Sequence, residues 1–306
     1  MNAIVKDRDE RLKMALRSQE KTLEQLQVDV NIIKEWLKNQ KHLPEMPHDH
    51  MIQNFLLLNK FSIEATKQKL DMYYTLRGVL PEVFENKHPN LPHMQQNMKA
   101  IYIFMLPKLT DDGNSIAVMR IASENSNILE LDPYMIFAHM YNVVEVRLHE
   151  DVALGDICIY DMAYFPIRQI ARLNPVLMRK GTIPLEKIYS SRVKAIHILH
   201  APGYAEPLIK LIRQLLNPKL AERIHIHDSV DGLKKFLPNN VLPKDYGGDL
   251  PPLQEINESW MKAFEKYSDR FDTIAKLKVN EQLRPEPLVN DDILGVYGNF
   301  KKLNVD

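Results

Sequence analysis

Few side chains in this sequence have the types and spacing that catalysis or metal binding requires. His225 and His227 stand two residues apart, so in a strand both imidazoles would lie on one face, as in a pair of metal ligands. No third ligand follows at a suitable spacing, and packed or surface histidines are therefore the preferred interpretation. Asp156 and Asp161 flank an apolar segment, where strand-end turns are favoured over an acid–base pair.

Cys158 is the single cysteine of the chain, which excludes an intramolecular disulfide. It stands between two isoleucines in a segment that reads as a buried strand, a setting typical of an inert thiol and not of a nucleophile. The sequence also lacks the dinucleotide motif G-x-G-x-x-G, the phosphate loop G-x-x-x-x-G-K-[ST], the nucleophile elbow and H-E-x-x-H. We therefore predict no enzymatic activity, no metal and no cofactor.

The composition limits the partners of the chain. Its 306 residues are 45% hydrophobic, which is enough to bury a substantial core. Forty basic and forty acidic side chains balance, so no overall field attracts nucleic acid or an anionic membrane, and any such contact needs a local patch. The charged start and the absence of an apolar window of roughly 18 residues predict a monomeric cytoplasmic protein.

The first 90 residues read as a small all-helical domain. Helical runs are predicted over 22–39, 51–58 and 63–77, with Ser62 as the N-cap of the third. Residues 87–92 form the expected junction. A second domain over 91–250 and a helix-and-tail region over 251–306 complete the predicted organisation.

Beyond the junction, strand-like and helix-like segments alternate. Such alternation predicts an α/β fold with a mostly parallel sheet covered by helices. The segment Asp111–Asn114 has the composition of a hairpin turn between the first two strands. The predicted strands cover 101–106, 116–121, 157–162, 193–200 and 223–226; the predicted helices cover 133–147, 166–179, 204–216, 230–237 and 260–267.

The order of several short motifs resembles that of the CRAL-TRIO lipid-binding family. The clearest motif is the stretch 223–248, where a strand and a helix lead to the turn Leu-Pro-x-x-Tyr-Gly-Gly. Supporting segments are Lys60-Phe-Ser-Ile-Glu-Ala65, Gly155-Asp-Ile-Cys-Ile-Tyr-Asp161 and Arg192-Val-Lys-Ala-Ile-His197. The likeness spans roughly residues 20 to 260 and is greatest to the tocopherol- and retinaldehyde-carrying members.

The resemblance implies a hydrophobic ligand held between the sheet floor and a mobile lid helix, here 204–216. On its own pattern, that helix could equally be an ordinary core helix. The implied pocket residues come from the helix 133–147, from alternate strand positions and from the lid: Phe137, Met140, Tyr141, Val144, Cys158, Tyr160, Ile196, Ile198, Leu208, Ile212 and Leu215. Tyr141 and Tyr160 are the hydroxyls expected to meet a polar head.

The resemblance also implies a basic cleft beside the lid that meets phosphoinositide headgroups. The corresponding residues are Arg192, Lys194, Lys219 and Arg223, for which scattered solvated charge is the alternative interpretation. The chain departs from the family at Phe55-Leu-Leu-Leu-Asn59, where typical members carry an arginine-rich run. The departure removes expected cations from the cleft.

The expected function is transfer of one small lipophilic molecule of the tocopherol, retinoid or carotenoid class between membranes by lid opening at an anionic surface. Two alternatives remain open on the sequence. The same domain could sense a lipid and report it to a protein partner, or it could exchange phosphatidylinositol.

Overall fold

The computed structural model describes residues 8–287, apart from positions 153, 190, 191 and 217 and the side chain of Leu215. The fold is mixed α/β, with a five-stranded sheet that is mostly parallel, preceded by a helical region. This is the predicted class.

The amino-terminal region contains five helices: α1 Arg8–Ser18, α2 Leu23–Lys38, α3 Asp49–Leu58, α4 Ile63–Val79 and α5 Pro81–Phe84. Thr22 begins α2 with a capping box, and the Ser62 hydroxyl accepts the amide of Ala65 at the start of α4. The sequence analysis missed α1, whose charged residues conceal a narrow apolar stripe. That stripe, Leu12, Ala15 and Leu16, is buried.

The carboxyl-terminal two thirds contain the sheet and nine further helices among the described residues. The strands are β1 Ile101–Met105, β2 Ser115–Ile121, β3 Asp156–Asp161, β4 Val193–Leu199 and β5 Ile224–His227. The helices are α6 Pro92–Ala100, α7 Tyr134–Glu150, α8 Ile167–Arg172, α9 Pro175–Pro184, α10 Glu206–Leu215, α11 Pro218–Ala221, α12 Val230–Lys234, α13 Leu253–Lys266 and α14 Ser268–Ile274.

Two predicted helices differ from the observed ones for local reasons. The run over 166–179 is divided into α8 and α9, because Pro175 disfavours helical backbone at Asn174. Asn174 instead caps α9 by accepting the Leu177 amide at 3.0 Å. The helix that was expected to reach residue 237 ends at Lys234.

The sheet has the strand order β1-β2-β3-β4-β5, with β1 antiparallel to β2 and the other pairs parallel. The turn between β1 and β2 is the predicted one, and Gly113 occupies the left-handed region there with φ +76°. Each parallel connection passes to the next strand in the same direction. Right-handed crossovers therefore place α7, the α8–α9 pair and α10 on one face of the sheet.

Two hydrophobic cores hold the molecule together. The sheet core surrounds the five strands and includes Trp260 and Phe264 of α13. The second, which we call the interdomain core, joins the buried side chains of α1–α5 to Phe137 and Tyr141 of α7 and to Leu177 and Ile183 of α9. The helical region and the sheet region thus share one packed interior.

Candidate ligand-binding site

The helix-covered face of the sheet carries all four strand residues predicted to line the pocket. In the β3–β4 register, Cys158 pairs with Ile196 and Tyr160 with Ile198. Residues paired in this way project to the same side of a sheet, so these four side chains form one apolar surface, which we call the ligand face. Ala117 and Met119 of β2 extend it, because they pair with Cys158 and Tyr160.

Two side chains of the ligand face are less buried than their neighbours along the strand. Cys158 and Tyr160 belong to the central strand, yet both remain partly accessible, whereas their neighbours Ile157 and Ile159 on the opposite face are buried. Burial raises the pKa of the Cys158 thiol to about 12. The ligand face is therefore covered less completely at β3 than the opposite face.

The α7 residues divide between the two cores. Met140 packs against both, and Val144 is partly buried against the interdomain core. Phe137 lies flat against Gly181 of α9, where a β-carbon would come within 2.4 Å of its ring. The Tyr141 hydroxyl donates to the Gly181 carbonyl at 2.6 Å, so its proton is already paired within the protein.

The lid candidate α10 has one face turned to the sheet core. Leu208 and Ile209 are buried, Ile212 is partly buried against the same core, and Lys210 and Arg213 are exposed. The side chain of Leu215, also predicted to line the pocket, lies outside the described residues. The backbone of α10 contacts chiefly its chain neighbours, the short turn Gly203–Ala205 and α11, so few tertiary contacts fix it.

A cleft of about 990 Å³ lies away from the ligand face, between α4, α5, α7 and α14. Of the predicted pocket residues it includes Tyr141 alone. Its walls carry six Arg, Lys and Glu side chains of both signs, which are costly to bury against a hydrocarbon. We therefore place the apolar ligand on the ligand face and not in this cleft. The six are Arg77, Glu85, Lys87, Glu145, Lys278 and Glu281.

The four predicted phosphoinositide contacts divide into two pairs. The Arg192 guanidinium donates to the Leu57 carbonyl at 2.9 Å, and burial lowers its pKa; Arg223 donates to the Val193 carbonyl. Lys194 and Lys219 are exposed and form no ion pair within the described part of the chain. Only the two lysines are therefore free to meet an anionic surface.

Three histidines cluster on the face of the sheet opposite the ligand face. They are the predicted pair, His225 and His227, and His197, which the sequence analysis did not consider as a ligand. His197 of β4 stacks between His225 and His227, and its Nδ1 lies 2.8 Å from Nε2 of His227. Burial and the two neighbouring imidazoles lower the pKa of His197 to about 4. In residues 8–287, leaving out the four undescribed positions, no group of His, Cys, Asp or Glu is arranged to hold a metal ion.

Asp161 links the turn Leu-Pro-x-x-Tyr-Gly-Gly, which we call the family turn, to the segment before the lid. Its carboxylate accepts the Tyr246 hydroxyl at 3.1 Å and the Ala163 amide at 3.0 Å, and lies 2.9 Å from the His200 imidazole. His200 has φ +53°, an uncommon value for a residue with a side chain. Turn chemistry at the strand end, as expected, is thus the observed role of Asp161.

Within the described residues, no helix is both long and apolar enough to cross a bilayer.

Comparison with protein families and known proteins agrees with this architecture. Residues 22–94 match the model "Pinta-like, UBA domain", and residues 99–248 match the model "CRAL/TRIO domain". An alpha-tocopherol transfer protein-like protein of Mus musculus is 23% identical over 274 residues, covering 86% of this chain and 78% of that protein.

Clavesin-2 of Rattus norvegicus is 25% identical over 205 residues, covering 67% of this chain and 63% of that protein. A solved structure, "Crystal structure of Sfh5", aligns with a TM-score of 0.45 at 12% identity, covering 87% of this chain and 99% of that one. The family match and these relatives, together with the sheet and its helical cover, show that residues 99–248 form a CRAL/TRIO domain, the domain of the lipid-binding family that the sequence resembles.

Proposed function

We propose that this protein is a cytosolic, monomeric and non-enzymatic carrier that encloses one lipophilic molecule of the tocopherol, retinoid or carotenoid class. The observation that supports the proposal is the ligand face, an apolar surface of the helix-covered sheet on which Cys158 and Tyr160 remain partly accessible. An apolar enclosure suits a hydrocarbon, since each buried methylene contributes about 0.8 kcal/mol. Ten methylenes would contribute about 8 kcal/mol before ordering costs are subtracted.

The proposed walls are those predicted residues that the structure brings together. Seven of them belong to or border the sheet core: Met140, Cys158, Tyr160, Ile196, Ile198, Leu208 and Ile212. Phe137 and Tyr141 instead pack on α9, behind this wall. Tyr160 is then the hydroxyl on the ligand face itself.

Release would occur where α10 swings away from the sheet at a membrane. Exposed apolar side chains surround the start of α10: Tyr204 is 43% exposed, Ile167 59% and Tyr164 39%. Near the other end of α10, Lys194 at the start of β4 and Lys219 of α11 add charge that an anionic surface attracts by about 1 kcal/mol each.

The first experiment identifies the ligand. We expect solvent extraction of the purified protein, followed by mass spectrometry, to yield one lipophilic compound at about one molecule per chain. Recovery of phosphatidylinositol would support the exchange alternative, and a ligand that never leaves for acceptor vesicles would support the sensing alternative. Failure to load any lipid from vesicles would contradict the carrier function.

A second experiment tests the membrane surface. Lys194→Glu combined with Lys219→Glu is expected to slow transfer to vesicles containing phosphatidylinositol phosphates about tenfold, at unchanged ligand affinity, because repulsion replaces attraction. The control is Lys262→Glu with Lys276→Glu, two exposed lysines on the α13–α14 side. Equal slowing in both double variants would show that net charge, and not this surface, controls the rate.

A further inference from the structure

A small, partly open cavity lies at the amino end of β3, between α3, α7 and the turn that follows α9. Its volume is about 40 Å³, room for one water molecule or one hydroxyl group. The lining residues are Asn54, Leu58, Val144, Arg147, Leu148, Asp151, Asp156 and Tyr189.

Two buried polar atoms of this lining lack a hydrogen-bond partner among the described residues. They are Oδ1 of Asn54 and the hydroxyl of Tyr189. Nε of Arg147 and Oδ2 of Asp151 form an ion pair with each other at 3.5 Å. Asn54 and Tyr189 are each at least nine-tenths buried. Because unpaired buried polar atoms are costly, two such atoms at one cavity indicate that a polar guest belongs there.

The orientation of the Asn54 amide is fixed by its own contacts. Its Nδ2 donates to the carbonyls of Leu148 and Asp151 at 2.9 and 2.8 Å, which leaves the oxygen directed away as an acceptor. Asp151 accepts Arg11 through its other oxygen at 2.6 Å. Burial raises the pKa of Tyr189 well above its usual value, so its hydroxyl stays neutral and can donate or accept.

The charges around the cavity cancel. Arg147 donates to Asp156 at 2.8 Å, and Arg11 pairs with Asp151, so two guanidinium groups face two carboxylates. A charged head would upset this balance in a buried setting, which favours a neutral guest. The guest must also donate to the free oxygen of Asn54 while accepting from the Tyr189 hydroxyl, and a hydroxyl group does both.

The cavity adjoins the ligand face. Asp156 lies on the same side of β3 as Cys158 and Tyr160, and Val144, a predicted pocket residue, is shared with the cavity wall. We propose that this cavity is the polar seat of the ligand, and that it selects lipophilic alcohols over the corresponding aldehydes and acids. The inference rests on the proposed carrier function and deepens it.

The test uses three probes with one skeleton and different heads: retinol, retinaldehyde and retinoic acid. The full-length protein is loaded from vesicles that contain the three in equal amounts, and the bound molecules are extracted and quantified. We expect retinol to exceed retinaldehyde by about tenfold relative to the vesicles, because an aldehyde leaves the Asn54 oxygen unpaired, and retinoic acid to be excluded. Loading in the vesicle ratio would overturn the polar seat while leaving the carrier function intact; no loading of any probe, together with no lipid recovered by extraction, would instead contradict the carrier.

Two variants test the cavity itself. Asp151→Asn removes the carboxylate that pairs with Arg11 and Arg147 and leaves one positive charge in excess, so we expect the preference for retinol to be lost and retinoic acid to be admitted. Asp269→Asn, at an exposed position on α14, is the matched control and should keep the wild-type ratio. Tyr189→Phe, which removes a hydroxyl without unpairing any described group, is expected to weaken retinol binding about two- to tenfold even if the first variant does not fold. Unchanged retinol binding in Tyr189→Phe would overturn the assignment.

Discussion

Glu145 of α7 links the helical region to the sheet region through buried hydrogen bonds and ion pairs. Its buried carboxylate accepts the Tyr73 hydroxyl at 2.7 Å, Arg77 at 3.1 Å and Nε of Arg270 at 3.0 Å. Burial alone would raise the pKa of Glu145, but the hydrogen bond with His149 and the charges of Arg77 and Arg270 hold it well below the usual range. Helices α4, α7 and α14 are joined through this single group.

We expect Glu145→Gln to lower the free energy of unfolding by about 3–5 kcal/mol, because Arg77 and Arg270 lose their buried counter-charge. The folded-state pKa of Glu145 is depressed, so its contribution is fully present above the unfolded value near 4.3 and is lost as the pH falls below it. Urea unfolding at pH 7 and pH 3 should therefore show a smaller pH dependence in the variant. Glu150→Gln, which breaks a pair with the 65% exposed Lys266, should cost at most about 1 kcal/mol.

Gly248 ends the family turn where no side chain fits. A β-carbon there would lie 2.1 Å from the Leu242 carbonyl oxygen, a backbone atom that cannot move aside. Gly248→Ala is therefore expected to lower the free energy of unfolding by about 2 kcal/mol or more. Gly203→Ala is the control, because nothing lies within 4 Å of its added carbon, and equal stability of the two variants would contradict the steric explanation.

At the scale of elements, the sequence predicted what local periodicity determines. All five strands and the N-cap at Ser62 could be found, because alternation and capping chemistry are encoded within a few residues. Packing between distant segments is not encoded in this way. The pairing of Tyr141 with Gly181 depends on how closely α9 approaches α7, and no local pattern reports it.

The polar cavity was missed for the same reason. Asn54 reads as one polar residue on an otherwise apolar helix, and Tyr189 as one more aromatic before β4. Each acquires its unpaired atom only when α3, α7 and the turn after α9 come together. A lone asparagine within the apolar run 51–58 was the available signal, since buried polar groups normally require a partner. The sequence showed which residue types lie on one face of α10. It did not show that α10 makes few tertiary contacts.

The start of the lid is held by one hydrogen bond, from the Tyr204 hydroxyl to the Phe165 carbonyl at 2.7 Å. Removing it in Tyr204→Phe should destabilise the closed position by about 0.5–1 kcal/mol, because the site is partly exposed. We expect ligand transfer between vesicles to become about two- to fivefold faster, and hydrogen exchange over 204–216 to increase similarly.

Tyr164→Phe is the matched control for the lid. Tyr164 is also partly exposed and near the lid, but its hydroxyl has no described hydrogen bond, and phenylalanine preserves the ring over Arg120. Its transfer rate should stay within twofold of the wild type. Transfer in Tyr204→Phe no faster than in this control would mean that opening at residues 204–216 does not limit release.

At the scale of the whole molecule, the division into 1–90, 91–250 and 251–306 stays a prediction. The packing joins these three regions through shared contacts. The interdomain core takes side chains from both of the first two regions, and Glu145 ties them to α14 of the third. Regions with a shared interior lose their stability together. We therefore expect one cooperative unfolding transition and not a stepwise one.

The two tryptophans allow this expectation to be tested, because Trp36 lies in α2 and Trp260 in α13. Trp36 packs against the interdomain core, whereas Trp260 is buried in the sheet core and donates to the Met105 carbonyl at 3.0 Å. In Trp36→Phe the remaining fluorescence reports the sheet region, and in Trp260→Phe it reports the helical region. Within each variant, the fluorescence and far-ultraviolet circular dichroism curves in urea should coincide, whatever the substitution costs in stability. If the fluorescence of Trp36 changes at a lower urea concentration than the circular dichroism, the helical region unfolds independently and the shared interior contributes little to its stability.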